Sequence, residues 1–338
     1  MNFLFPKPVG FFRDDHSIYV DVKNVQGKAQ SILIDCGNNH TVSMKEFLRI
    51  GTLLVSHAHI DHLIGFDNIL RMNLRENKRI RIIGPDSMAN VIHHRLQGYM
   101  WNLIYDSQLE IEVWEISARL IKKYLFLCRE GFSKKHFMEK IPAQNPVIKT
   151  DHYEIRYIRL NHDITSIGYS ITEHDRFRIR KKCLREMGLP EGQWLKQLKN
   201  KTFSPNDTMQ VNDTNIPMQS IYKNLIIHEP GFKLSYITDT ILNNSLKKKI
   251  TEFVKNSDQL YCEATFLHKD IKLARQYYHL TAKQTALIAK EADVKNLFLI
   301  HLSLRYSNPF LLLKEAQSVF PNTQFPVFSD SCMVKRKI

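Results

Sequence analysis

The chain reads as an α/β protein in which helices cover sheets. Three observations predict this class. Short apolar runs of strand length recur along the chain, helical stretches alternate with them, and several runs stop at a side chain able to hold a metal. Loops gathered at one end of a sheet stack leave that signature, because a rigid scaffold then carries chemistry on its rim. The 338 residues are ample for one large domain with a sizeable core, and the 43% hydrophobic content is that of a globular protein. No internal repeat at a fixed period is present.

The first part of the chain is β-like, with runs at Ser17 to Val22, Gln30 to Ile34, Thr52 to Val55 and Arg79 to Ile83. Asp35-Cys36-Gly37 closes the second run. Leu53-Leu54-Val55 is too short for a helix and reads as a buried strand. Ser87 to Gln97 looks helical, and Leu109 to Ile116 alternates like a strand. Residues 118–145 mix basic and aromatic residues at helical spacing and read as an inserted helical segment. Tyr153 to Leu160 and Ser166 to Ile171 form a second strand group around Asn161-His162. A polar, basic insertion follows over 173–222. Strand character returns at Leu225 to His228, Lys233 to Ile237 and Gln259 to Cys262. Thr281 to Ala292 is the clearest helix, because Thr281 and Gln284 fit a capping box that satisfies orphan backbone donors. Asn296 to Ile300 is the next buried strand, and Leu311 to Ser318 a further helix.

Chemistry concentrates in His57-Ala58-His59-Ile60-Asp61-His62, with Ser56 before it. Three imidazoles and a carboxylate leave the end of one strand and can surround a small volume. Neutral imidazole and carboxylate suit zinc, manganese and iron suit the same donors, and an open position for water makes such a site hydrolytic. Later strands end in His162, Asp239 and His301. Singly, His162 reads equally as a loop histidine, Asp239 as a helix N-cap and His301 as a buried histidine. Together the seven donors can hold two metals with a water between them, each metal having four protein contacts if Asp239 bridges. His16, His40, His93, His94, His136, His152, His174, His228 and His268 lack that context and are read as non-ligands.

The five cysteines are scattered, without a C-x-x-C pair, which suits reduced thiols in the cytoplasm. Met1 to Pro8 lacks the charged start and long apolar run of a secretory signal. No apolar stretch approaches the roughly 20 residues of a membrane span, so no membrane partner is expected. The net charge is +14, from 48 Lys and Arg against 34 Asp and Glu. Such a field favours polyanions, nucleic acid first, although many basic proteins bind only phosphorylated metabolites or anionic surfaces.

At these residues the chain resembles the metallo-β-lactamase superfamily, and within it the ribonuclease Z family of tRNA 3′-end endonucleases. His57 to His62 is shared across the superfamily. More specific are Asn161-His162 with Ser166-Ile167-Gly168-Tyr169, Tyr236-Ile237-Thr238-Asp239-Thr240, Cys262-Glu263-Ala264-Thr265-Phe266, His279-Leu280-Thr281-Ala282 and His301-Leu302-Ser303-Leu304-Arg305-Tyr306. The resemblance covers about residues 17–330. It implies a single domain with a four-layer αβ/βα sandwich and a dinuclear zinc site at the edge between its sheets. One zinc would take His57, His59, His162 and Asp239, the other Asp61, His62, Asp239 and His301. Asp61 would also steer the attacking hydroxide. Glu263 and His279 would form a relay that protonates the departing 3′ oxygen, or else a buried pair that only supports the loops.

The family places a tRNA-clamping arm between its third and fourth motifs. Here Arg176, Arg178, Arg180, Lys181, Lys182, Arg185, Lys196, Lys199 and Lys201 face two glutamates, with Gly188-Leu189-Pro190-Glu191-Gly192-Gln193 between. A basic arm grips phosphates without reading sequence; the same residues also read as a solvated loop. The resemblance further implies precursor tRNA as partner and a homodimer. Three departures stand out. Residues 37–43 read Gly-Asn-Asn-His-Thr-Val-Ser where the family has a Pro-x-Lys-x-Arg-Asn loop, Cys262 stands where it has His, and Leu280 where it has Ser. A phosphodiesterase of other RNA, cyclic nucleotides or small diesters is the nearest rival. An RNA-binding protein that keeps zinc for stability is a third reading, against which the intact seven donors argue.

Overall fold

The structure is a computed structural model; it describes residues 3–328 except 16, 24–29, 105, 201–203, 205 and 213. The chain falls into two compact units. One joins the residues up to Glu173 with those from Phe232 onward, and the other is His174–Gly231.

The larger unit is built on two sheets. The first has eight strands in chain order: Leu4–Val9, Ser17–Val22, Ser31–Ile34, Ile50–Leu54, Arg79–Pro85, Glu110–Ile116, Leu120–Leu127 and His136–Pro142. The four from Ser31 to Ile116 run parallel and are largely buried, Ser31–Ile34 and Ile50–Leu54 throughout. The second sheet orders Thr323–Gln324, Asn296–Ile300, Gln259–Glu263, Lys233–Ile237, Ile164–Glu173, Tyr153–His162 and Ile148–Lys149. Its first four strands are parallel and its last three antiparallel.

Three apolar cores stack through this unit. Ile69, Leu70, Ile92 and Leu96, from helices Phe66–Asn73 and Met88–Leu96, cover Leu53, Ile82 and Val113 on the outside of the first sheet. Ile18, Ile32, Leu54 and Ile83 meet Tyr169, Leu234, Tyr236 and Tyr261 between the sheets. Ile250, Ala286 and Leu312, from helices Asn244–Val254, Ala282–Glu291 and Phe310–Gln317, cover Leu260 and Leu297 outside the second. Helix, sheet, sheet and helix make the expected αβ/βα sandwich. Tyr169 pins the two sheets together, its buried hydroxyl donating to the carbonyls of Val55 and Ile83 at 2.8 and 2.9 Å.

Residues 118–145 correct the sequence reading, because they form strands and one 3-10 turn, Cys128–Glu130, instead of an α-helical segment. Leu120–Leu127 and His136–Pro142 are a hairpin at the edge of the first sheet. Register shifts at Lys123/Tyr124, where Glu139 and then Phe137 are paired and Met138 is skipped. Such a bulge breaks the period-2 alternation by which a strand is recognised. Sequence reasoning also passed over Leu4–Val9. Pro6 and Pro8 argue against a central strand, but this is an edge strand, where a missing N–H on the outer side costs no ladder bond.

The smaller unit is more than a basic loop, and it runs past 222. Arg176–Ile179 pairs with Ile226–Glu229, and Thr208–Val211 pairs with Thr214–Pro217. Leu184, Trp194, Leu198, Met209, Ile216 and Ile221 form its core. Cys36, Cys128, Cys183 and Cys262 are free thiols; Cys332 lies outside the described residues. Among the described residues no helix is long and apolar enough to cross a membrane.

Candidate metal centre

Each side chain of the centre leaves the C-terminal end of a strand or the loop beside it. His57, His59, Asp61 and His62 follow Ile50–Leu54, the last two on a short 3-10 turn, Ile60–His62. His162 ends Tyr153–His162, Asp239 follows Lys233–Ile237, Glu263 ends Gln259–Glu263, and His301 follows Asn296–Ile300. His279 sits just before the Thr281 cap, whose capping box with Gln284 is formed as expected. The two sheets thus deliver their loops to one rim.

The side chains converge on Asp239, which is 2% exposed. From its Oδ2 the Nε2 atoms of His57, His62, His162 and His301 lie at 3.7, 3.5, 3.6 and 3.5 Å. Asp61 Oδ2 is 3.1 Å from His62 Nε2 and 3.3 Å from His301 Nε2. His59 Nδ1 stands 3.0 Å from His57 Nε2. Among the described residues three groups of donors lie mutually within 4.8 Å: His57, His59, His162 and Asp239, then Asp61, His62, Asp239 and His301, then Asp239, Glu263, His279 and His301. All share Asp239, and the first two have the membership that the resemblance implied. Among the described residues, none of the histidines read as non-ligands joins such a group; His16 lies outside them.

Hydrogen bonds behind the donors fix which nitrogen faces inward. His162 Nδ1 is 3.0 Å from the Tyr278 carbonyl, which only accepts, so Nδ1 carries the proton. His62 Nδ1 lies 2.8 Å from the Asp35 carboxylate, with the same result. Ser56 Oγ donates to Asp35 and therefore accepts from His57 Nδ1 at 3.0 Å. The Thr265 hydroxyl has Glu263 Oε2 at 2.6 Å and the His301 carbonyl at 2.9 Å as acceptors, so it accepts from His301 Nδ1 at 3.1 Å. In all four rings Nε2 is therefore the nitrogen turned towards Asp239, and in the neutral ring it carries the lone pair that a ligating imidazole needs. Among the described residues buried His62 Nε2 makes no well-aligned hydrogen bond, although Asp61 Oδ2 is 3.1 Å away, and a cation among these donors would answer that.

Electrostatics agree with the geometry. Burial pushes the His57 imidazole down to about 3, so it is neutral. Burial also opposes charge on His301, but Asp239 and the hydrogen bond to Asp61 overcome this and raise it to about 9. Burial disfavours the charged Asp61 carboxylate, yet His301 and His62 hold it well below the usual range. Asp239 is likewise held low by His301 and His62 against burial. The donors therefore share protons that a cation would displace.

Backbone strain gathers here too. Asp35, Asp163, Tyr278 and His301 have φ of 54°, 62°, 58° and 52°, a region that non-glycine residues enter at a cost. Three of them turn a group towards the centre: Asp35 its carboxylate to His62, Tyr278 its carbonyl to His162, and His301 its own imidazole.

Glu263 is fully buried, and its Oε2 lies 3.0 Å from His279 Nδ1 while Thr240 N–H donates to Oε1 at 2.7 Å. Burial opposes the His279 imidazolium, but the Glu263 charge and hydrogen bond raise its pKa above the ordinary value.

Residues 24–177 match the family model described as Anti-Pycsar protein Apyc1. Ribonuclease Z of Deinococcus radiodurans is 29% identical over 316 residues, which is 92% of this chain and 94% of that protein. Ribonuclease Z of Protochlamydia amoebophila is 30% identical over 281 residues, which is 81% of this chain and 76% of that protein. The chain belongs to the ribonuclease Z family. Two solved structures share its fold. The metallo-β-lactamase fold protein YhfI from Bacillus subtilis has a TM-score of 0.52 at 14% identity, with 94% of this chain and 91% of that one covered. A long form RNase Z from yeast also gives 0.52, at 16% identity, with 90% of this chain and 38% of that one covered.

Sequence reasoning missed three members of this ribonuclease Z centre: Asp35, Thr265 and the Tyr278 carbonyl. Asp35 could have been found, since it closes a buried strand run at the same sheet end as the histidine motif. Thr265 lies inside a quoted motif, but its bridging hydroxyl appears only once the chain is folded. The arm residues lie on the smaller unit. Arg176 and Arg178 are on its first strand, Arg180 follows that strand, and Lys181, Lys182 and Arg185 are on helix Lys181–Glu186. Arg178, Lys181 and Lys182 pair on the surface with Glu229, Glu191 and Glu186. Lys196 and Lys199 belong to helix Trp194–Asn200, and Lys201 lies outside the described residues.

Proposed function

We propose that this chain is a metal-dependent endoribonuclease that cleaves precursor tRNA at its 3′ end, leaving a 3′-hydroxyl on the tRNA and a 5′-phosphate on the trailer. The observation that carries the reading is the convergence of four imidazole Nε2 atoms on Asp239 with an acid pair, Glu263 and His279, beside them. His57, His59, His162 and Asp239 would hold one divalent cation and Asp61, His62, Asp239 and His301 a second, zinc by donor type. Such a pair, when bound, polarises the phosphate and eases ionisation of a water.

The remaining work falls to the chain. Asp61, half-buried at the mouth, accepts a hydrogen bond from the attacking water and orients it. His279, its pKa raised by the Glu263 charge and hydrogen bond and its Nδ1 held by that carboxylate, gives a proton from Nε2 to the departing 3′ oxygen. Arg176, Arg178, Arg180, Lys181, Lys182, Arg185, Lys196, Lys199 and Lys201 on the smaller unit would hold the phosphates of the tRNA body. The enzyme would work in the cytoplasm, as a homodimer. Incubating the purified protein with a precursor tRNA, sizing the products and measuring metal on the same sample tests this. A cut after the discriminator nucleotide is expected, and intact precursor at full metal occupancy overturns it.

One observation favours a second reading, action on other RNA, cyclic nucleotides or small diesters. Residues 37–43 lack the basic loop of the family. Excising the smaller unit separates the two. Loss of tRNA cleavage with retained hydrolysis of a small diester supports the first reading, and equal effects on both support the second.

A further inference from the structure

Beside the metal centre lies a cavity of about 200 Å³ that none of the roles assigned above explains. It opens past Asp61 and His301, and the N-terminal segment Phe12 to Asp15 forms one wall while Leu302 to Leu304 and Pro326 form the other. Its chemistry is distinctive. The apolar rim is exposed, with Phe12 at 43% and Leu304 at 75%. Phe12 is nonetheless fixed, edge-on to Phe325 at 5.0 Å, which in turn meets Phe310 at 5.7 Å. A ring held in this way offers a rigid stacking surface.

Apart from the metal donors His62 and His301, the charged groups of the lining are three carboxylates, Asp14, Asp15 and Asp61, and one guanidinium. That guanidinium, Arg13, is spent on the carbonyls of Ser303, Tyr306 and Ser307 at 3.1, 2.7 and 3.4 Å. Asp14 holds Asn38 Nδ2 at 2.6 Å. Among the described residues the Asp15 carboxylate makes no hydrogen bond. A phosphate would be repelled from such a place. A neutral planar ring that stacks on Phe12 and donates hydrogen bonds to Asp15 would be held, and the volume admits one ring system.

We propose that this cavity is a nucleobase subsite, reading the base next to the scissile phosphate and selecting one that presents an amine beside a ring N–H, guanine before all others. Guanine offers N1–H and the N2 amine side by side, which a carboxylate accepts as a pair. Adenine and cytosine offer one amine, and uracil sets its lone N–H between two carbonyls that Asp15 repels. The inference rests on the reading of the centre as one that acts on nucleotide phosphodiesters.

The test compares guanosine 5′-monophosphate, uridine 5′-monophosphate and ribose 5-phosphate as inhibitors of bis(4-nitrophenyl) phosphate hydrolysis by the metal-loaded protein. Saturation-transfer NMR of the same three ligands gives the ratio without turnover. All three carry the same phosphate, so their ratio isolates the base. Guanosine monophosphate should bind at least about fivefold more tightly than uridine monophosphate, and about fivefold or more above ribose phosphate. Asp15→Asn should remove the preference of guanine over uracil while keeping the gain of both over ribose phosphate. Phe12→Leu should shrink that gain for every base. Because each ratio is internal to one protein, a variant of lower activity still reports. Equal binding of the three ligands by the wild-type protein overturns the subsite, as does a guanine preference that survives Asp15→Asn. Failure to cut precursor tRNA overturns the proposed function and leaves this ratio measurable, so the two readings fall separately.

Discussion

Asp35 is the residue whose replacement tests the architecture of the centre most sharply. It is fully buried and binds no metal in the proposed scheme, yet it accepts four hydrogen bonds. Ser56 N–H donates to Oδ1 at 2.6 Å. Ser56 Oγ, Tyr236 OH and His62 Nδ1 donate to Oδ2 at 2.9, 2.8 and 2.8 Å. Asn is the clean substitution, since it keeps the shape and tolerates the φ of 54° that Ala would find strained. The asymmetry of the bonds dictates its rotamer. An amide nitrogen at Oδ2 would face three donors, whereas at Oδ1 it faces one. In Asp35→Asn the amide oxygen therefore turns towards His62 and the amide nitrogen towards Ser56 N–H. One buried bond is lost with two donors opposed, about 1–3 kcal/mol, and three charge-assisted bonds become neutral ones, about 0.5 kcal/mol or more each. The sum is roughly 2.5–4.5 kcal/mol of folding stability. His62 also loses the anion that fixes its Nδ1 proton, and a supporting partner of this kind is worth about 10- to 100-fold in metal affinity. Urea unfolding of the metal-free protein reads the first number, and competition with a chromophoric zinc chelator reads the second. Asp35→Asn with wild-type zinc affinity would refute the claim that Asp35 orients a ligand.

Other outcomes follow from the same geometry. Metal affinity should rise with pH between about 6.5 and 8.5, by about tenfold per unit for each proton displaced, because His301 is raised to about 9 and must lose its proton to bind; chelator competition at three pH values checks this, and a flat profile contradicts it. Replacing His174–Gly231 by a two-residue turn should leave the larger unit folded, since Glu173 N–H already donates to the Phe232 carbonyl at 2.9 Å across adjacent strands; circular dichroism and zinc content should match the full chain while precursor tRNA binding falls and loses its salt dependence. Tyr169→Phe should cost about 1–2 kcal/mol by stripping two buried carbonyls of their shared donor, with zinc affinity unchanged. Glu263→Gln should lower the pKa of His279 and with it the basic limb of the pH–rate profile; an unmoved limb would leave the pair a purely structural role.

The donors were legible in the sequence because a metal site needs particular side chains at strand ends, and both periodicity and residue type survive in one dimension. His57, His162, Asp239 and His301 each follow a run of buried residues. What lay hidden depended on pairing across the fold. The hairpin at 120–142 looked helical because one skipped residue, Met138, disturbs the alternation. The edge strand Leu4–Val9 was obscured by two prolines that only an edge permits. The smaller unit read as a solvated stretch because its core residues, Leu184, Trp194 and Ile221 among them, are spread thinly between charges. Asp35 was half legible. Its place at the end of a buried strand run marks it as a residue of the rim, but no local pattern marks the contact it makes with Tyr236 from the other sheet.

That contact shows how folding and chemistry are joined in this protein. His57 to His62 hang from the first sheet, whereas His162, Asp239 and His301 hang from the second. Neither sheet carries a full set of donors, so each cation site exists only when the two are packed. Four imidazoles crowd Asp239 within 3.7 Å, two of them raised in pKa by carboxylates, and four non-glycine residues hold strained φ around them. These costs are met by the apolar layer between the sheets and by rigid links across it, the Tyr236 to Asp35 and Tyr169 to Val55 bonds. The scaffold therefore carries these costs, and a cation that binds only the folded chain would add its binding free energy to stability. A site divided between two sheets in this way has its geometry set by the core between them, which is why the residues that tune it, Asp35 and Tyr236, are found in that core and not at the rim.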